Sequence, residues 1–356
     1  MQDFFKGLKV IELASVLAGP AVGLFFAELG AEVIKVENKK TGGDVTRRWK
    51  TKGESPNNKK SSYYASVNWG KKEVLMDLSE KEDRFQLMEW IKEADVVISN
   101  FKRKSAERMQ LDYEQVKKIK ETIIYAQLDA FGHDNDRPAF DVALQAEAGF
   151  LYMCGEPDRK PSKMPVALID LLAAHQLKEG ILLAILKKER TGEGSFVSTS
   201  LWEAAIASLA NQATNWLIAG HIPQRMGTAH PNIAPYGDSF YTKDKKLILV
   251  AAGTEKQFIG LCEALDKTEL TRDDRFKDNA SRVIHREELY KELSPVFEAH
   301  ERANIAQKLK LAKVPYGSIR NMQEVFEEVD PDFLLEDFDE QGNRLLRPKT
   351  VAFKMV

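Results

Sequence analysis

The sequence predicts an α/β protein with a large domain built on a parallel sheet and a smaller α+β domain. Two observations support this prediction. In the first third of the chain, short apolar runs suited to buried strands alternate with helical patterns, which is typical of a parallel sheet flanked by helices. The 356 residues also exceed the usual span of one hydrophobic core, so a second domain is expected.

The first part of the chain reads as a β-α-β succession. The predicted elements are a strand over 8–14, a helix over 20–29, a strand over 31–36, a helix over 84–94, a strand over 95–99, a helix over 113–120 and a strand over 122–128. Residues 41–62 are polar and rich in Gly, Lys, Asn and Ser, and we interpret them as a mobile surface loop. From residue 140 helices dominate, over 140–152, 171–188 and 201–218, with a turn at 190–194.

A different pattern begins after residue 221. Strands over 238–242 and 246–251 form a predicted hairpin, and helices follow over 255–265, 287–297 and 302–311, before a strand over 316–319. We therefore expect residues 1–200 to form the N-terminal part of the large domain and 201–221 a linker helix. Residues 222–314 are the predicted small α+β domain, and 315–356 a segment that returns to the large domain.

Composition excludes several classes of protein. The chain is 43% apolar and 30% charged with a formal net charge of −2, which is ordinary for a globular protein and gives no global sign of nucleic-acid binding. Cys154 and Cys262 lie far apart without zinc-ligand spacing, so neither a disulfide framework nor a metal site is indicated. No apolar run approaches the ~18 residues of a membrane span. We expect a soluble, cytoplasmic protein.

The turn after the first predicted strand is a candidate ligand site. Gly19 frees the backbone there and Pro20 suits the first helical turn, at the strand end where open α/β sheets bind ligands. The segment lacks the G-x-G-x-x-G pattern, so the local pattern favours a structural turn and a dinucleotide site is disfavoured. Glu37, at the end of the second predicted strand, stands where a ribose-binding acid would lie, but a solvated strand end is the favoured interpretation.

Asp170 stands alone among apolar residues in the segment PVALIDLLAA at 165–174. Burying an unpaired charge is costly, so we expect this carboxylate to have a structural or a catalytic role. The local pattern favours an N-cap of the following helix. A nucleophilic carboxylate facing a cleft is the alternative, and the two roles are compatible. The pair His175 and Glu179 is interpreted as a helix pair rather than a metal site.

A series of sequence blocks runs along the chain: GLKVIELA at 7–14, AGP at 18–20, LGAEVIKVE at 29–37, GDVTR at 43–47, NWGKK at 68–72, LMDL at 75–78, ADVVISNF at 94–101, FD at 140–141, QA at 145–146, RTGEG at 190–194, RMGTAHPNIAPY at 225–236 and VPYG at 314–317. Together these blocks resemble the family III CoA transferases of the CaiB/BaiF type, which include formyl-CoA transferase, carnitine CoA-transferase and α-methylacyl-CoA racemase. The blocks occur in family order over nearly the whole chain.

The resemblance implies a Rossmann-like large domain made from both ends of the chain, a smaller α+β domain and a homodimer of two interlocked rings. It also implies that Asp170 is the catalytic aspartate. The positions that match CoA-binding residues of the family are Val16, Leu17, Ala18, Leu75, Met76, Asn100, Phe101 and Arg108. The expected small-molecule partners are an acyl-CoA and a carboxylic acid, without a permanently bound cofactor, a metal, nucleic acid or a membrane.

The implied reaction is CoA transfer through a covalent intermediate on Asp170. The aspartate attacks the donor thioester to give an anhydride, the thiolate returns to give an aspartyl-CoA thioester, and the acceptor carboxylate captures CoA. Backbone amides near Gly149 or Gly227 are candidates for stabilising the oxyanions.

One departure from the family bears on the choice between activities. Racemases of the family carry a His where this chain has Phe140, and Phe cannot accept a proton. Glu255 resembles an acid of the racemase small domain, so 2-methylacyl-CoA racemisation stays an alternative ranked below CoA transfer. Non-catalytic acyl-CoA binding is a third hypothesis. Pro138 also stands near the position of a CoA-contacting lysine in formyl-CoA transferase.

Overall fold

The computed structural model describes residues 3–135, 137–338, 342 and 344–355. Its strands are β1 Lys9–Leu13, β2 Glu32–Asn38, β3 Lys72–Met76, β4 Val96–Ser99, β5 Ile124–Asp129, β6 Ser195–Ser200, β7 Tyr236–Tyr241, β8 Leu247–Ala251, β9 Tyr316–Ser318, β10 Leu334–Phe338 and β11 Arg344–Pro348. No helix in this described part of the chain is long and apolar enough to cross a membrane.

The helices follow in chain order. They are α1 Ala18–Glu28, α2 Ser62–Asn68, α3 Lys81–Glu93, α4 Arg103–Met109, α5 Tyr113–Ile119, α6 Asp141–Glu147, α7 Phe150–Met153, α8 Leu168–Thr191, α9 Leu201–Ala207, α10 Ala210–Ala219, α11 Glu255–Ala264, α12 Asn279–Ile284, α13 Arg286–Glu298, α14 Arg302–Leu311 and α15 Met322–Phe326. Short 3-10 helices are Lys39–Thr41, Val45–Arg48, Thr268–Arg272 and Pro331–Phe333.

The predicted parallel sheet is confirmed. Six strands are hydrogen-bonded in the order β3-β2-β1-β4-β5-β6, and every neighbouring pair is parallel. Because β1 and β4 are neighbours although they are distant in sequence, the loops after them leave the same edge of the sheet side by side. In doubly wound sheets this reversal of strand order is where ligands bind.

The two edge strands of the six-stranded sheet, β3 and β6, were not predicted from the sequence. The prediction relied on continuous apolar runs, which mark strands buried on both faces. β6 instead reads SFVSTS with alternating exposure, and β3 begins with Lys72 and Glu73. Residues 195–200, between the predicted turn at 190–194 and the helix predicted over 201–218, were assigned to no element, and β6 lies there.

Two long predicted helices are each divided in the structure. The helix expected over 140–152 is α6 followed by α7, because Gly149 between them has φ 87°, a left-handed conformation that ends a helix. The linker helix expected over 201–221 is α9 and α10, interrupted at residues 208 and 209.

The chain divides into two compact units that differ in their boundaries from the predicted domains. The first unit contains Met1–Gly149, Met164–Ala213 and Asp330–Val356, and the second contains Phe150–Lys163 and Thr214–Val329. The return to the first unit comes later than the predicted residue 315. The reason is that β9 pairs with β8 and completes the antiparallel sheet β7-β8-β9, which gives β8 a partner on both edges.

The second unit has its own apolar core. One face of its sheet packs on helices through stacked aromatic rings, with centroids 4.3 Å apart for Phe240 and Phe297 and 4.9 Å apart for Phe240 and Tyr290. Phe258 and Leu293 are fully buried in the same cluster. All residues of this cluster belong to the second unit.

The C-terminal segment is anchored on Glu28, the last residue of α1. Arg347 Nη1 donates to Glu28 Oε1 at 2.7 Å, and both side chains are buried. The amides of Thr350 and Val351 donate to the same carboxylate at 3.0–3.1 Å, and so does the Thr350 hydroxyl. One buried carboxylate thus holds the end of the chain on the first unit.

We predict that Glu28→Gln lowers the free energy of unfolding by about 3 kcal/mol, since removing one partner leaves the Arg347 charge buried and unpaired. Urea denaturation followed by tryptophan fluorescence measures the change. The exposed pair Glu89–Lys92 supplies the control, because Glu89→Gln should change stability by less than about 0.5 kcal/mol. Equal effects of the two substitutions would contradict the anchoring role.

Candidate active site

The loop after β1 is held in an unusual conformation at the reversal point of the sheet. Val16 has φ 73°, a left-handed value that is rare and strained for a β-branched residue. Its amide donates to Asp44 Oδ2 at 3.1 Å. Asn100, in the loop after β4, accepts from the Ser15 amide at 3.2 Å and donates to the Ser15 carbonyl at 3.0 Å. The loop is therefore fixed from two sides.

Buried charges fix Asp44 in turn. Lys35 Nζ lies 3.2 Å from Asp44 Oδ2 and donates to Glu12 Oε1 at 2.9 Å and to the Ala14 carbonyl at 2.8 Å. Burial lowers the pKa of Lys35, but Glu12 and Asp44 more than offset burial, so its pKa lies above the usual value. Lys71 Nζ lies 2.7 Å from Glu12 Oε2. These ions tie the strained turn to the centre of the sheet.

The interpretation of Glu37 as a solvated strand end is wrong. It is buried, and its carboxylate accepts hydrogen bonds from Arg47 Nε at 2.7 Å, Arg47 Nη2 at 2.6 Å, the Tyr64 hydroxyl at 2.5 Å and the Asp44 amide at 2.6 Å. Burial raises the pKa of Glu37, but the bonds from Arg47 and Tyr64 outweigh burial and lower it to about 2. Both oxygens are occupied, so the ribose-binding alternative loses its acceptor.

The same contacts change the view of residues 41–62. Asp44, Thr46 and Ser61 are buried, and the Ser61 hydroxyl donates to the Thr46 carbonyl at 2.6 Å. The segment predicted as a mobile surface loop is thus pinned to the sheet at several points. Its polar composition reflects internal hydrogen bonds as well as exposure.

Asp170 lies at the start of α8, but it is not the N-cap. The N-cap is Ala167, and Asp170 is the third residue of the helix. The capping acceptor comes from α6: Asp141 Oδ2 accepts from the Ile169 amide at 2.7 Å and lies 3.4 Å from the Asp170 amide. Gln145 Nε2 donates to Asp141 Oδ1 at 2.5 Å. The N-cap interpretation of Asp170 is therefore wrong.

The environment of Asp170 disfavours its negative charge. Its residue surface is 7% exposed, and within the described residues no group donates a hydrogen bond to its carboxylate. Burial, followed by the negative charge of Asp141, raises the pKa of Asp170 to about 7. An aspartate with such a pKa is more basic than usual, and carboxylates of this kind can act as bases or nucleophiles.

Asp170 opens into a cavity of about 560 Å³ at the carboxyl ends of β1, β4 and β5. Five of the predicted CoA-binding residues line this cavity with it, namely Val16, Leu17, Ala18, Asn100 and Phe101. A second cavity of about 650 Å³ shares Ser15, Val45 and Phe101 with the first and is lined by Met76 and Arg108. Leu75 lies on the opposite face of β3 from Met76, because side chains alternate along a strand, and it lines a separate surface cavity.

An aromatic group beside the site was missed by the sequence analysis. Trp49 packs edge-to-face on Tyr63 and Phe140, with ring centroids 5.1 and 6.4 Å apart. Burial and the nearby carboxylates, Asp170 foremost, raise the pKa of Tyr63 to about 12. Trp49 within the otherwise polar segment 41–62 and Tyr63 directly after it were the available signal, but one sequence gives no hint that they approach Asp170.

The family of this chain follows from a comparison with known proteins. The family model described as CoA-transferase family III matches residues 5–344. The chain belongs to CoA-transferase family III. It is an enzyme of that family, as the resemblance of its sequence blocks predicts.

Relatives of this CoA-transferase cover most of its length. Succinate–glutarate CoA-transferase of Agrobacterium fabrum is 36% identical over 327 residues, which are 90% of this chain and 81% of the relative. Succinyl-CoA:glutarate CoA-transferase of Homo sapiens is 34% identical over 326 residues, which are 91% and 73%. The crystal structure of a CAIB/BAIF family protein from Brucella suis matches with a TM-score of 0.83 at 35% identity, covering 99% of this chain and 93% of that one.

Two features of this CoA-transferase bear on the racemase alternative. Phe140, which lines the Asp170 cavity, has no group that can carry a proton. Glu255 lies in the second unit, where Arg282 donates to both its oxygens at 2.7 and 2.9 Å and lowers its pKa. An acid held as an anion in this way is a poor proton shuttle. Both features fit group transfer.

We predict that Asn100→Ala weakens CoA binding about tenfold, because the Ser15 amide and carbonyl lose their shared partner and the loop can leave the binding conformation. Isothermal titration calorimetry with CoA measures the dissociation constant. Asn100→Asp serves as the matched control, since it keeps the acceptor for the Ser15 amide and should fall between wild type and Ala. Wild-type affinity in the Ala variant would contradict this role of Asn100 in holding the loop.

Proposed function

We propose that this enzyme transfers CoA from succinyl-CoA to a second dicarboxylic acid such as glutarate, with Asp170 as the residue that carries first the acyl group and then CoA. The observation that carries the proposal is the buried Asp170 carboxylate, without a hydrogen-bond donor in the described residues and open to the cavity. The names of the relatives in Agrobacterium fabrum and Homo sapiens support the dicarboxylate class.

The first half-reaction uses Asp170 as a nucleophile. One of its oxygens attacks the thioester carbonyl of the donor, the carbon–sulfur bond breaks, and a mixed anhydride and CoA thiolate form. The thiolate then attacks the Asp170 carbonyl carbon, which releases the donor acid as a carboxylate and leaves an aspartyl-CoA thioester. No proton is gained or lost overall.

The second half-reaction runs in reverse with the acceptor. An acceptor carboxylate oxygen attacks the aspartyl thioester and expels the thiolate, which gives an anhydride of Asp170 with the acceptor. The thiolate attacks the acceptor carbonyl, so the new acyl-CoA forms and the Asp170 carboxylate is regenerated. Because one carboxylate serves both halves, we propose that no permanently bound cofactor takes part.

The electrostatics of the site support this use of Asp170. Burial removes the water that stabilises the carboxylate, which makes the anion more basic, and it also keeps water from hydrolysing an anhydride. Three cations line the same cavity, namely Lys102, Arg103 and Arg137. Their positive charges suit an anionic substrate.

We propose that CoA lies along the two adjoining cavities. Val16, Leu17 and Ala18 with Asn100 and Phe101 would contact pantetheine, and Met76 the apolar part of the nucleotide. Leu75, on the other face of β3, lies outside both cavities. Arg108 would meet phosphate oxygens, as guanidinium groups do, and Lys40 and Arg48 line the same second cavity.

We also propose that the enzyme works as an interlocked homodimer in the cytoplasm, with a Rossmann-like domain built from both chain ends. The exposed apolar residues Leu182, Leu183 and Leu186 on one stretch of α8 support an assembly, because monomers rarely expose such a patch. The two cysteines are free, which fits a reducing compartment.

We predict that wild-type enzyme incubated with succinyl-CoA and then hydroxylamine carries a hydroxamate on Asp170, whereas Asp170→Asn carries none and loses at least about 10³-fold in activity, since the nucleophile is gone. Intact-protein and peptide mass spectrometry locate the label. Asp129→Asn, which neutralises another carboxylate of the same cavity, is the control and should keep the adduct. Label elsewhere, or turnover by Asp170→Asn, would refute the assignment.

We predict a sedimentation mass of twice the 40.3 kDa chain for the wild type and a shift toward the monomer in Leu183→Glu, because a charge in an apolar contact is costly. Analytical ultracentrifugation makes the measurement. Phe85→Glu changes a similarly exposed apolar residue on α3 and should leave the mass unchanged. A monomeric wild type would contradict the proposed assembly.

A further inference from the structure

We propose that Asp141 is a positioning residue for the transfer reaction: its carboxylate occupies the start of the helix that carries Asp170 and thereby leaves the carboxylate of Asp170 free to face the cavity. This inference rests on the proposed function and adds a second carboxylate to it. Asp141 touches neither the proposed substrate nor the reacting atoms, and it acts through Asp170.

The start of a helix attracts carboxylates. Something must therefore explain why the Asp170 carboxylate accepts no hydrogen bond from the first amides of α8 in the described structure. The first amides of a helix lack partners within it, and an acidic side chain in the first turn ordinarily interacts with them and with the positive end of the helix dipole. In α8 the N-cap Ala167 has no side-chain acceptor. Asp141 fills this place, accepting from the Ile169 amide at 2.7 Å and lying 3.4 Å from the Asp170 amide.

Gln145 fixes the orientation of Asp141. Its Nε2 donates to Asp141 Oδ1 at 2.5 Å, and its Oε1 accepts from the Met164 amide at 3.0 Å. The two oxygens of Asp141 are thus used for different partners, one on its own helix and one on α8. This arrangement joins α6 to the segment that leads into α8, so the position of Asp170 depends on Asp141.

The charge of Asp141 acts on Asp170 as well. The titratable and charged groups near Asp170 come from several elements: Asp141 on α6, Tyr63 on α2, Asp129 at the end of β5, His133 and Arg137 in the following loop, and Lys102 and Arg103 after β4. Besides burial, Asp141 is the group that raises the pKa of Asp170, to about 7. Like charges disfavour each other's ionised forms, so Asp141 makes Asp170 the more basic nucleophile.

The sign of the effect gives a specific test. Protonated Asp170 cannot attack, so the rate of adduct formation in the wild type should fall as the pH decreases through about 7. Asp141→Asn keeps an oxygen for the Ile169 amide but removes the charge. We expect the acid limb to move down by about one pH unit, but not to the range of an exposed aspartate, because burial remains.

The experiment measures single-turnover formation of the Asp170 adduct from succinyl-CoA between pH 5 and 9. Glu179→Gln removes an exposed charge from the same helix, and its limb should stay at the wild-type pH. Asp141→Ser, which also lacks the charge and keeps a hydroxyl oxygen as an acceptor, replaces the Asn variant in the test if the Asn variant does not fold. Circular dichroism establishes folding.

The outcomes separate this inference from the proposed function. A wild type that forms no adduct on Asp170 contradicts the proposed function. A wild type with an adduct and an acid limb that neither neutral variant at position 141 moves contradicts the role of Asp141 alone. A limb moved by about one unit in the 141 variants and unmoved in Glu179→Gln supports it.

Discussion

The proposed function depends on one carboxylate, that of Asp170, which is buried and has no hydrogen-bond donor among the residues that the structure describes. Burying such a group lowers the stability of the folded protein, so the surrounding residues must hold it in position. Asp141 takes the helix-start amides that would otherwise stabilise Asp170, and Gln145 holds Asp141 in place. By contrast, the buried charges of Glu12, Lys35 and Asp44 are paired with one another.

The parallel sheet explains why the cavity lies where it does. The order of its strands brings the loops after β1 and β4 together, and the ion cluster on β1 and β2 reaches the strained turn at Val16 through Asp44. Strain at a binding loop persists only when its surroundings determine it. Here Asn100 and Asp44 do so through the backbone, which leaves the loop's own side chains available to a ligand.

Much of this arrangement could be predicted from the sequence, but not all of it. Apolar runs identify the central strands, and the isolated Asp170 in an apolar segment points to the candidate site. The edge strands β3 and β6 are too polar for that criterion. The cap from Asp141 and the bond between Glu37 and Arg47 join residues that only the folded chain brings together. The local sequence pattern therefore wrongly predicted that Asp170 is an N-cap and that Glu37 is a solvated strand end.

In the proposed anhydride route, the Asp170 carboxylate exchanges an oxygen atom with the donor acid and with the acceptor acid. A single turnover with a preformed aspartyl-CoA enzyme and an acceptor dicarboxylate labelled with oxygen-18 tests it most directly. The anhydride route predicts that the Asp170 peptide gains one heavy oxygen, because the bridging oxygen stays with the aspartate when the thiolate attacks the acceptor carbonyl. Product acyl-CoA formed while the Asp170 peptide stays unlabelled would contradict the account.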